Sequence, residues 1–190
     1  MITPNADTNE TDSPFYIKNE SSCSEFEDFI IEHKGKIKGN YNAWSYLVIG
    51  KIETPRKWIL EYKKSTFSSG NLLLSAKTQN LFVSATWKTE LTAINIADFI
   101  IRRKATKDSV LKLFNANIIE LESASNYLLI TEKKSHLIQE LIQLFLPLFL
   151  PLFKLNEIYK IYKLKNALTI ELRTEQHYFD IFNQLNDLNL

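Results

Sequence analysis

Residues 158–173, IYKIYKLKNALTIELR, followed by TEQH at 174–177 and YFDIFNQLNDL at 178–188, carry the pattern that decides the fold. Two β-rich runs at 158–164 and 167–173 flank a two-residue polar turn, and a helical stripe follows at Tyr178, Phe179, Ile181, Phe182, Leu185 and Leu188. The same order occurs upstream. NIIELE at 117–122 and YLLIT at 127–131 read as a strand pair, then TEKKSH at 131–136 leads into Leu137, Ile138, Leu141, Ile142, Leu144 and Phe145. Each segment reads strand, turn, strand, Thr-Glu, His, amphipathic helix: a possible duplicated ββα unit. Two such units are too few for a solenoid and are expected to pack around one sheet.

Upstream, residues 41–103 alternate short β-rich runs with turn residues. WSYLVIGKI at 44–52, KWILEYK at 57–63, a run at 72–77, LFVSATW at 81–87 and a run at 97–102 predict an antiparallel meander. Before it, Ser22 to Glu25 reads as a capping box, Phe26, Phe29 and Ile30 follow at helical spacing, and Gly35 supplies a stop. The spacing predicts a first helix starting at Ser22. Residues 1–21, rich in Asn, Thr, Asp and Ser, read as a disordered or loosely attached acidic leader, in which Phe15, Tyr16 and Ile17 could dock as a short strand. The expected fold class is therefore α+β: a largely antiparallel sheet, an N-terminal helix and two later helices. Residues 22–190 are expected to form a single domain, with a meander at 41–103 and ββα units at about 117–146 and 157–189.

With 190 residues, 45% of them hydrophobic, the chain is long enough to fold by burial alone, without a structural metal or disulfide. Four scattered glycines leave no place for a phosphate loop or dinucleotide fingerprint, and one cysteine excludes an internal disulfide and any CxxC pair. No cofactor is expected. The first residues have neither a basic nor an apolar signal region, which with the lone thiol points to a cytoplasmic location. Nineteen of the 23 basic residues are Lys, a bias that points to an AT-rich, bacterial source. Residues 1–32 carry eight acids and one base, so 14 acids and 22 bases remain for the rest: a basic body behind an acidic start.

LFLPLFLPLF at 144–153 has no polar side chain but falls short of the about 20 apolar residues a membrane span needs, so no transmembrane segment is expected. Pro147 and Pro151 predict a helix end running into an extended apolar linker. The run serves either as core or as an interaction patch of Leu146, Leu148, Phe149, Leu152 and Phe153.

No catalytic motif is present. His136 and His177 sit at the start of the two late helices, with Glu140 and Asp180 one turn on, a weak candidate metal set; the ordinary reading is polar first-turn residues. His33 lies on the edge of the first helix's apolar stripe and reads as packing. Cys23, read at a helix start, could have a lowered pKa. Arg102, Arg103 and Lys104 form the densest cation cluster and a possible anion contact, opening a helix over 106–114, with Asp98 near enough to neutralise it. YKIYKLK at 159–165 interleaves rings and lysines, loosely like a single-strand nucleic-acid surface. The leading expectation is a non-catalytic binding or regulatory module with a protein partner or self-association. The alternatives are polyanion or nucleic-acid binding through a basic face, and an enzyme or small-ligand carrier with a sheet pocket lined by Trp44, Trp58 or Trp87.

Overall fold

Ser13 and Pro14 set the start of the first helix. In the computed structural model, which describes residues 1–66, 81–91, 97–106, 108, 117–133 and 136–188, helix α1 spans Pro14–Glu32. Ser13 is extended and its side chain accepts the Phe15 N–H, while Pro14 occupies a position whose N–H the helix does not use. The expected start at Ser22 is thus too late. Residues 1–21 are not a loose leader either: they supply strand β1 (Ile2–Pro4) and the first turns of α1, Phe15 to Ile17 included. The inward stripe runs Tyr16, Asn19, Cys23, Phe26, Phe29 and Ile30, and the polar Asn19 within it hid the earlier turns. Helix α1 does stop at Gly35, but the left-handed residue is Lys34 (φ 53°), and the Gly35 and Lys34 N–H groups bond to Ile30 O and Ile31 O. Gly35 is needed for close approach, since a Cβ there would lie 2.5 Å from Lys51 O.

The chain divides into two compact units, Met1–Thr86 with Thr174–His177, and Trp87–Arg173 with Tyr178–Leu190. In the first, β1 pairs in parallel with β2 (Lys36–Tyr41), which runs antiparallel to β3 (Tyr46–Ile52), itself antiparallel to β4 (Trp58–Thr66). The order continues to β5 (Leu81–Glu90), whose residues the two units share. Tyr46, Val48, Gly50 and Ile52 alternate inward on β3. Helix α1 lies close on that face: a Cβ on Gly50 would fall 2.4 Å from Ile30 Cδ1. Phe26, Trp58, Leu60 and Tyr62 are fully buried here. The run expected at 72–77 lies outside the described residues.

In the second unit the order is β5, β10 (Ala167–Leu172), β9 (Ile158–Leu164), β6 (Phe99–Arg103), β8 (Tyr127–Thr131), β7 (Ile118–Glu120). Strand β6 leaves the expected meander and lies between β9 and β8, antiparallel to both. Both late segments form two antiparallel strands and then a helix, β7–β8 before α2 (His136–Lys154) and β9–β10 before α3 (Phe179–Asp187). Three helices and ten mostly antiparallel strands make the described residues an α+β fold.

Helix α2 contradicts the expected break. It runs through Pro147 and Pro151 and ends in a left-handed Asn156 (φ 58°), with Glu157 and Asn156 N–H bonding to Leu152 O and Phe153 O. The prolines, four residues apart, are both exposed, so the carbonyls they leave unpaired, those of Gln143 and Pro147, lie on the solvent side. Each interior proline costs about 3 kcal/mol. Seven buried side chains, from Ile138 to Phe153, contribute about 1.5–3 kcal/mol each, so packing wins. By length and composition alone α2 could cross a membrane, which the sequence argument excluded by taking the apolar run as shorter. Its inward rings pack: Phe145 lies 5.8 Å from Phe149, Phe149 6.5 Å from Trp87, Trp87 5.5 Å from Phe182, and Phe153 4.7 Å from Tyr127.

Candidate anion-binding cleft

Strands β6 and β9 bring two separate basic stretches side by side, with Arg102 opposite Lys160 and Ile100 opposite Tyr162. Phe99, Ile101 and Ile161 point into the core, so Arg102, Lys160 and Tyr162 take the other face. An irregularity then breaks the alternation. Lys160 pairs with Glu171 and Ile158 with Leu172, so Tyr159 has no partner across the ladder. This bulge lets Ile158 and Ile161 both face inward while Tyr159 and Lys160 face out. Arg173, just past β10, places its guanidinium 4.2 Å above the Tyr159 ring. The result is a cleft of ≈ 310 Å³ walled by Arg102, Arg103, Lys160, Arg173, Tyr159, Asn156 and Ile158.

Its cations differ in how they are held. Arg102 makes a bidentate pair with Asp108, both bonds 2.7 Å, and the Asp108 side chain is 3% exposed. Those hydrogen bonds push the Arg102 pKa further up, against the pull of partial burial. Arg103 donates from Nε to Tyr127 Oη (3.4 Å) and from Nη2 to Asn156 O, both neutral acceptors. Tyr127 in turn donates to Ile158 O at 2.9 Å, which fixes its oxygen. Lys160 Nζ stands 4.3 Å over the Tyr162 ring and 3.9 Å from Glu171 Oε1.

Of the expected anion contacts, Arg102 and Arg103 line the cleft, whereas Lys104 pairs with Glu120 at 2.9 Å. Asp98 does not neutralise the arginines. It holds Lys163 Nζ at 3.3 Å and accepts the Lys165 N–H at 2.9 Å, so Lys163, 3% exposed, is turned away from the outer face. Both tyrosine rings of 159–165 already carry a cation, which is not the bare stacking surface expected for a nucleic-acid strand. The helix expected at 106–114 lies outside the described residues except for Thr106 and Asp108.

His136 and His177 belong to different units. His136 pairs with Glu140 at 3.1 Å, with side chains 82% and 54% exposed. Asp180 is exposed in the first turn of α3, and His177 is buried in the first unit. Among the described residues, no three His, Cys, Asp or Glu side chains gather as a metal-binding group. His33 caps α1, its Nδ1 2.9 Å from Phe29 O. Cys23 lies in mid-helix rather than at a helix start, and burial, then Glu27, pushes its thiol up to about 12, opposite to the expected lowering. Trp58 and Trp87 are core residues, and Trp44, 51% exposed, donates from Nε1 to Glu10. In the apolar run, Phe149 and Leu152 are fully buried and Phe153 nearly so, while Leu146 and Leu148 are half-buried.

The sequence gives no sign of a second polar cluster, within the first unit. Buried Asn19 donates to Asn42 O and Ala43 O and accepts from Lys64 Nζ at 3.1 Å. Lys64 lies 3.6 Å from Glu175, which also pairs with Lys18 at 2.5 Å. Burial pushes the Glu175 carboxyl up, but the two lysines outweigh it and hold it below its ordinary value. His177 Nε2 is 2.9 Å from Ser22 O and 3.1 Å from Ser22 Oγ. A carbonyl only accepts, so Nε2 carries the proton and is no base for that hydroxyl. Burial lowers the His177 pKa and keeps the ring neutral. No known protein family, no curated protein and no solved structure matches the chain.

Proposed function

We propose that this chain is a non-catalytic binding module that takes an anionic partner at the β6–β9 cleft. One observation carries the reading: Arg103, Lys160 and Arg173 share a cleft whose wall, among the described residues, has no acidic side chain, and Arg103 donates there to neutral acceptors. Arg102 is structural in this scheme, because its charge is matched by Asp108. The test is retention of the full chain on heparin as a function of salt. Arg103→Ala with Lys160→Ala should elute at lower salt and lower the log–log salt slope by roughly 1 per residue removed. Unaltered retention in a folded double variant would reject the cleft.

Contact with another protein, or with a second copy, is the second reading. It is favoured by Leu137, Leu144 and Leu155, 42%, 49% and 61% exposed on or just after α2. A concentration-independent monomer mass in light scattering would remove the second-copy form of it.

A further inference from the structure

Building on the anion-binding reading of the cleft, we infer that the group it selects is a dianionic phosphomonoester. The open donors give the reason. Arg102 and Asp108 form an internally neutral pair in which both guanidinium Nη atoms already donate. Two cations then remain with donors facing outward. Arg103 is tethered through Nε and Nη2 to neutral acceptors, so its Nη1 has no acceptor among the described residues, and its charge is not offset. The Lys160 ammonium forms an ion pair with Glu171 Oε1 at 3.9 Å, which offsets part of its charge but is too long to occupy its N–H donors.

A carboxylate or sulfate ester brings one negative charge to these donors. A phosphomonoester brings nearly two, on three oxygens that accept charge-assisted bonds from a guanidinium and an ammonium together. The tethers on Arg103 fix its fork before any ligand arrives, so little side-chain entropy is lost on binding. At ≈ 310 Å³ the cleft is at the small end of ligand sites, with room for a phosphoryl group and a short substituent. The occupied faces of Tyr159 and Tyr162 offer no platform for a stacked base.

Isothermal titration of the full chain at pH 7.5 with phenyl phosphate, phenyl sulfate and methyl phenyl phosphate tests this. Phenyl phosphate should bind about tenfold or more tightly than either monoanion, and Lys160→Gln should remove that preference. Equal binding of all three would overturn the phosphomonoester assignment and leave the anion-binding reading standing. Binding of none would remove both. A phosphoserine peptide and glycerol 3-phosphate present the same dianion from two sources. Tighter binding of either than of phenyl phosphate supports the assignment and names the source; failure of both where phenyl phosphate binds would overturn it.

Discussion

The buried cluster of the first unit and the cleft of the second are made from similar residues, lysines, tyrosines and a few carboxylates, yet they do opposite things with their hydrogen-bonding capacity. Around Lys64 the chain closes its own circuit: Asn19 and Glu175 meet the ammonium, and backbone carbonyls take up the Asn19 amide. Around Arg103 and Lys160 the donors outnumber the acceptors. A closed polar network holds a fold in one arrangement, because each lost partner leaves a buried group stranded. An open one costs little to lose and has capacity left for a ligand.

The sharpest way to break the contrast is Glu175→Ala. It removes the carboxylate facing Lys64, whose side chain is 7% exposed, and should lower stability by about 3 kcal/mol in denaturant unfolding. A loss under about 1 kcal/mol would mean that Asn19 alone satisfies the ammonium.

Acid should act next, through His177. Its folded pKa lies below 6.5, so under that pH the unfolded chain takes up a proton that the folded chain refuses. Stability is fully present above pH 6.5 and falls as pH drops toward the folded value, by at most about 1.4 kcal/mol per pH unit. Thermal unfolding between pH 7 and 5.5 should show this slope, and His177→Asn should flatten it. Glu175, with its pKa lowered from 4.5, adds a separate loss only below that value.

The smallest effect belongs to the cleft. Arg103→Ala should change stability by less than about 0.5 kcal/mol, since its partners, Tyr127 Oη and Asn156 O, lose only neutral contacts. The same variant should lose anion binding, separating function from folding in one protein.

Much of this architecture could be read from residue order, and the failures have physical causes. The strand pairs before α2 and α3 were legible because alternation and turns are local signals. The start of α1 was not, because Asn19 breaks the apolar stripe yet is buried on the strength of its amide bonds. Proline rules misjudged α2, since their cost is fixed while the gain from Phe145, Phe149, Leu152 and Phe153 depends on what lies opposite. Half of the cleft was legible. Arg102 and Arg103 stand out as a cation run and 159–165 as a Lys- and Tyr-bearing strand, but their adjacency depends on β6 inserting between β8 and β9. Arg173 carried no local mark. One signal was available and easy to miss: Ile158 and Ile161 are three apart, an interval that a regular strand cannot bury on one side.

That odd interval has a consequence for how the chain tolerates change. Because Tyr159 is surplus to the ladder, replacing its side chain should disturb only the ring under Arg173, and deleting the residue would leave Ile158 and Lys160 opposite Leu172 and Glu171 in plain alternation. Position 159 is then permissive to exchange and to shortening alike, a combination that a scan of single-residue deletions alongside substitutions would expose.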